Sequence, residues 1–154
     1  MIGQLDSLSV HCVMVPGSQV NVLLPGVAID EIVDNKKITR EQSGAEWFVG
    51  FVDWRGASVP VVSFDAMLGG GLADSQKKGQ RVLVLNPLPE RGEASRLALL
   101  SDGNPKTVTI DDAAVEMELP PDLDIRFAVM GVNVKGRLAV IPDISALLDT
   151  FPTL

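Results

Sequence analysis

The chain has 154 residues, is 46% hydrophobic and 21% charged, and carries a formal net charge of −7. Such an acidic balance, with basic residues in short pairs (Lys36-Lys37, Lys77-Lys78), argues against nucleic acid, whose binding depends on clustered Lys and Arg. No apolar run reaches the ~18 residues of a membrane span, no basic segment leads an apolar one at the N-terminus, and a lone cysteine, Cys12, forms no internal disulfide. Together these predict a cytoplasmic protein without direct membrane insertion. The high apolar content of a chain with neither disulfide nor membrane span points to apolar patches offered to partner proteins.

In chain order, Leu8 to Val15 (LSVHCVMV) reads as a β-branched strand. Pro16-Gly17-Ser18 turns it into Gln19 to Leu24, which alternates polar and apolar as a second strand does. Pro25-Gly26 ends that run, and Val27 to Val33 reads as a turn of helix running into a strand. Lys36 to Glu46 is polar and is expected to be a loop. It delivers the chain to Trp47–Leu72, where two apolar runs hinge at Asp53-Trp54-Arg55-Gly56. This is a hairpin, followed by a short helix whose Phe64, Met67 and Leu68 share one face and which the glycines Gly69 to Gly71 stop. Arg81 to Asn86 and Arg96 to Ser101 are strands. Thr107 to Leu119 holds one or two more around Asp111-Asp112, and Pro120 to Asp122 is a loop. Phe127 to Val134 and Arg137 to Ile141 form a second hairpin turning at Lys135-Gly136, with Ser145 to Leu148 as its short helix.

Laid over one another, 48–68 and 128–148 match without a gap at a constant offset of 80. Val49 meets Val129, Val52 meets Val132, Gly56 meets Gly136, Arg55 meets Lys135, and Leu68 meets Leu148. The likenesses fall at the turn and on the apolar faces, the mark of an internal repeat. One domain over 1–154, built of two interleaved β subdomains, is the economical reading. Short strands with frequent turn signals favour barrels or sandwiches over an open α/β sheet.

The search for chemistry is mostly negative. His11 and Cys12 are adjacent on a strand and therefore point to opposite faces, so they make no dyad. No second His or Cys completes a metal shell. Gly69-Gly70-Gly71 follows a helix, whereas a phosphate-cradling loop precedes one. The acidic residues from Asp111 to Asp124 lack metal-loop spacing and read as a solvated face. No cofactor, metal site or catalytic residue is expected. The interaction candidates are Trp54, a residue type concentrated at interfaces but also at home in a core, and Arg55 at the turn. Arg55 either is solvated or folds back onto a carboxylate, with Glu31 the best placed.

The segment FVGFVDWRGASVPVVSFDAMLG resembles the signature of CheW-like domains. There an apolar strand leads to an Asn-Leu-Arg-Gly turn and a Val-x-Pro-Val-x-Asp-Leu step into a helix ending in Leu-Gly. Here the turn is Asp53-Trp54-Arg55-Gly56 and the step is Val59 to Phe64. LLPGVAIDEIV, Leu23 to Val33, resembles that family's Leu-Pro-Ile-x-x-Val-x-Glu-Ile piece, with Glu31 at the Glu position. The likeness spans roughly residues 8 to 149 and is weakest from Arg96 to Leu123.

The resemblance implies an all-β fold of two pseudo-symmetric, SH3-like, five-stranded barrels with short helices after the hairpins. It implies a non-catalytic cytoplasmic adaptor, recruited to receptor arrays, that couples the cytoplasmic tip of methyl-accepting chemoreceptors to the regulatory domain of a CheA-type histidine kinase. By position, Arg55 and its hairpin neighbours Asp53 and Trp54 belong to the receptor-coupling region, with Glu31 as the ion-pair partner of Arg55. Three departures mark a divergent paralogue: Asp53-Trp54 for Asn-Leu, Ser63 for Asp, and Gly103-Asn104-Pro105 after Asp102. An adaptor of this fold for a pole-organising or type IV pilus factor is the alternative. A small β-barrel enzyme is a distant third, since no nucleophile, acid and metal converge.

Overall fold

Val-, Ile- and Leu-rich runs too short for helices, most of them closed by Gly, Pro or Asp, favour strands. In the computed structural model these are β1 (Val10–Val15), β2 (Asn21–Pro25), β3 (Ile29–Asp34), β4 (Ile38–Arg40), β5 (Phe48–Trp54), β6 (Ala57–Val62), β7 (Arg81–Leu85), β8 (Ala98–Ser101), β9 (Lys106–Ile110), β10 (Val115–Met117), β11 (Ala128–Val134) and β12 (Arg137–Pro142). The described residues are 10–18, 20–41, 45–70, 74, 76–92, 95–111, 115–119 and 125–150. The expected loop Pro120–Asp122, the strand starts Leu8 and Gln19, and Gly71 lie outside them.

The strands form two curled six-stranded sheets, ordered β10-β11-β12-β2-β1-β9 and β4-β5-β6-β8-β7-β3. Read position by position, the two orders are the same list, with β5 standing for β11, β6 for β12, β8 for β2 and β7 for β1. The second sheet is contiguous, β3 to β8. The first takes β1 and β2 from before it and β9 to β12 from after it. Each sheet curls through one short parallel contact, Ala139–Asn21 and Val140–Val22 in the first, Val61–Ala98 and Val62–Leu99 in the second.

The five strands expected in each barrel become six because β4 and β10, three residues each, add to an edge. β4 lies inside the stretch expected to be a loop. Its Thr39 and Arg40 are exposed, and only Ile38, opposite Val52, is buried. One inward side chain is too little for a period-two pattern, so the pairing with β5 makes the strand.

The offset of 80 reaches into backbone geometry. Arg55 and Lys135 have φ of 49° and 51°, and Gly56 and Gly136 have 78° and 83°. Two successive positive φ values define the two-residue turn whose twist matches a hairpin. Both strand pairs carry a register shift at their entry, Phe48/Gly50 and Ala128/Met130. Ser63 donates its N–H to the Trp47 carbonyl at 2.8 Å, and Asp143 donates to that of Phe127 at 2.7 Å.

The helix caps also correspond. Ser63 Oγ accepts from the Ala66 N–H at 3.1 Å, as Asp143 Oδ1 does from Ala146 at 3.0 Å. Ser63 thus performs the capping task in the first helix that the Asp143 carboxylate performs in the second. The first helix widens into a π-type turn at Ala66–Gly70, and the second is a short α-helix, Ile144–Leu148.

Three apolar clusters hold the molecule together. One draws on both sheets and both short helices, with Val15, Leu24, Phe64, Leu83, Leu99, Val140 and Leu147 buried together. Each sheet also wraps its own interior. Val49, Val52, Trp54, Val59 and Val82 fill the second; Cys12, Leu23, Val132, Val134 and Ala139 fill the first. The large shared cluster ties the sheets to each other, and the two smaller ones reach out to the hairpin ends.

Candidate protein interaction site

The turn Arg55-Gly56 ends the second sheet in solvent. A left-handed φ suits Gly, Asn or Asp, and a long side chain there costs about 1–2 kcal/mol. Arg55 occupies it at φ 49° and is exposed. Its guanidinium carbon lies 4.2 Å from the centroid of the Trp54 ring. Trp54 itself is only 6% exposed and packs with Val33, Ile38, Val52 and Val59 inside the sheet. The indole is therefore a stopper in the end of the barrel. Its Nε1–H meets no acceptor among the described residues, a desolvation cost of about 1–3 kcal/mol set against the burial of a large ring.

A second cation holds the ring. The Arg96 guanidinium carbon is 4.4 Å from the Trp54 centroid. Arg96 Nη1 donates to Asp30 Oδ2 at 3.0 Å and to the Leu85 carbonyl at 2.9 Å. The Arg96 side chain is 9% exposed and that of Asp30 is 21% exposed. A mostly desolvated ion pair of this kind matters through what its loss would leave behind, a buried charge without a partner. The negative π-face of an indole attracts a guanidinium, and each contact adds about 0.5–2 kcal/mol.

The expected Arg55–Glu31 ion pair does not form among the described residues; Arg55 rests on Trp54 and the charge pair is Asp30–Arg96. The reason is register. Neighbours on a strand point to opposite faces, and β3 shifts register against β7 between Ile29 and Glu31. Asp30 thereby reaches Arg96, while Glu31, opposite Val84, stays exposed. Asp53 is also exposed, across the hairpin from Ser58. Of the four candidates, Arg55, Asp53 and Glu31 stand at the surface and Trp54 is buried beneath Arg55. Asp30 and Arg96 were missed. Their one sequence signal is an Arg directly before the apolar run Leu97–Leu100, where a charge entering a core needs a partner.

His11 is exposed and Cys12 buried, so the two adjacent side chains face opposite ways. Burial pushes the Cys12 thiol above its ordinary pKa, which disfavours the thiolate a nucleophile or metal ligand requires. Among the described residues, no group of three His, Cys, Asp or Glu is placed to hold a metal ion. None of their helices is long and apolar enough to cross a membrane.

Two curled sheets on a shared core, with a cationic hairpin tip at one end, define a β-rich module suited to binding proteins. The CheW-like domain model matches residues 10–151. The chain belongs to that family. Among solved structures it is similar to the scaffolding protein TtCheW from Thermoanaerobacter tengcongensis, at 20% identity over 88% of this chain and 84% of that one, with a TM-score of 0.69. No curated protein matches it.

Proposed function

We propose that this chain is a non-catalytic chemosensory adaptor, cytoplasmic and recruited to receptor arrays, that couples the cytoplasmic tip of methyl-accepting chemoreceptors to the regulatory domain of a CheA-type histidine kinase. The observation that carries the reading is the CheW-like family match, which runs through both sheets. The likeness to a scaffolding protein supports the same architecture. On this reading the single domain consists of two interleaved subdomains related by the repeat. A sheet edge takes the kinase's like-folded domain, and the receptor helix lies in a groove. Signal passes through how the partners bind one another across the adaptor, with no bond made or broken in it.

Within this reading Arg55 is the receptor-coupling side chain, with Asp53 exposed beside it on the same hairpin and Glu31 exposed on β3. Trp54 acts indirectly, as the buried platform that orients the guanidinium. A strained backbone position kept occupied by a long cation favours a role at the surface. The test is co-purification of the chain with its cognate kinase regulatory domain and with a receptor tip fragment. Arg55→Ala should weaken receptor capture several-fold while the unfolding midpoint barely moves. Failure of the unaltered chain to bind any cognate kinase or receptor would sink the reading. Unfolding by Arg55→Ala would instead make the arginine structural.

A further inference from the structure

The end of the first sheet that corresponds to the Trp54 stopper is open. Val134 stands at the repeat position of Trp54, closing its hairpin opposite Arg137 as Trp54 does opposite Ala57. Valine is far too small to do the indole's work. A cavity of about 470 Å³ remains at this end, lined among others by Met14, Val108 and Val134 on its floor and by Lys106, Lys135 and Arg137 at its rim. The floor belongs to the interior cluster of the first sheet. The rim cations are all exposed, and none has an ion-pair partner among the described residues. Among the described residues, no Asp or Glu lines the cavity. In a chain of net charge −7, three convergent cations, uncompensated among the described residues, make a local reversal of sign over an apolar floor.

The filled end shows what such a place accepts. At the second sheet an aromatic ring sits on the barrel interior with guanidinium groups over it, 4.2 Å and 4.4 Å from its centroid. At the first sheet the interior, the hairpin tip and the cations are present and the ring is missing. We infer that the open end of the first sheet is a binding site for an acidic peptide segment of a partner protein, which inserts an aromatic side chain where the chain's own indole sits in the other sheet.

The flanking carboxylates of the peptide meet Lys106, Lys135 and Arg137, and its ring lies on Met14, Val108 and Val134. Lys135 is held at the rim by the same left-handed turn that presents Arg55. Asn133 Oδ1 stiffens that turn by accepting from the Gly136 N–H at 2.8 Å. Aromatic anchors are concentrated at the core of binding surfaces, inside a polar rim, and opposite potentials steer the encounter. The inference does not rest on the adaptor reading, because it is tested without kinase or receptor.

The experiment titrates the full-length, nitrogen-labelled chain by NMR with a synthetic peptide in which a single Phe is flanked on both sides by glutamates. Amide shifts should cluster at Val108, Val134 and Lys135, and added salt should weaken binding. A peptide with Ala for Phe should bind about tenfold more weakly or worse, and one with lysines for the glutamates should not bind. Val134→Trp, which supplies the missing ring from within, should remove binding. The Lys135→Glu/Arg137→Glu double variant alters only surface charges and should do the same with an unchanged thermal midpoint, which guards against misfolding of the first variant. Equal binding by the Phe and Ala peptides would reduce the site to a charge patch and overturn the proposal. So would shifts located elsewhere, unimpaired binding by the double variant, or no binding by the unaltered chain.

Discussion

The two hairpin ends share a backbone and differ in what fills them. At β5–β6 the barrel is stoppered by Trp54 under Arg55 and Arg96, and at β11–β12 the smaller Val134 leaves about 470 Å³ open beneath Lys135. Turn dihedrals agree within a few degrees, and cap bonds and register shifts fall at equivalent residues. A repeated strand–turn–strand–helix unit therefore supplies geometry, and a few side chains decide whether an end is core or surface.

The largest effect should come from making the ends alike. Trp54→Val empties the stoppered end and leaves two cations over a void. It is expected to destabilise the fold by about 3 kcal/mol, read as a lower urea midpoint with an unchanged slope. Trp54→Phe should cost less, because it keeps a ring and removes the unpartnered Nε1–H. Next comes Arg96→Ala, which strands the Asp30 carboxylate and frees the Leu85 carbonyl. Since Asp30 retains some contact with water, about 2 kcal/mol is expected, below the range for a fully buried pair. A double-mutant cycle with Asp30→Ala should recover a substantial part of it.

The turn residues make a finer comparison. Asn tolerates a left-handed φ, so Lys135→Asn should stabilise by about 0.5–1 kcal/mol. At the other end Arg55→Asn should be near neutral, because relief of backbone strain is offset by loss of a cation–π contact of similar size. Equal gains at both turns would show that the Arg55–Trp54 stacking contributes nothing.

The smallest effect concerns Cys12 on β1. Burial raises its thiol pKa in the folded state, so folding favours the protonated form. Stability is unaffected below the unfolded value of about 8.5 and falls as pH rises from there through the raised folded value. A Cys12→Ala variant should lack this alkaline component in pH-dependent urea melts.

Much of the fold was legible because the signals are local. The hairpin at Arg55-Gly56, the turn of helix before β3 and the short helices all follow from alternation, turn formers and capping positions within a few residues of one another. The candidate site was legible in part. Arg55, Asp53 and Glu31 are exposed, and the expected pairing of Arg55 with Glu31 failed against a one-residue bulge. A shift of that size reverses which carboxylate faces inward, and it leaves no trace in composition or spacing. Trp54 could be read equally as anchor or core until its burial was known.

The sequence by itself determined most of the strands and the two tight turns. Period-two patterns and positive-φ turns are written in neighbouring residues, which is why they could be read there. Only the tertiary structure decided that the first sheet gathers β1 and β2 with β9 to β12 around a contiguous β3 to β8. It alone set Asp30 against Arg96 beneath the indole, and it alone left one barrel end filled and the other open. These depend on the register and curl of strands distant in sequence, which fix where a side chain ends up relative to elements it does not adjoin.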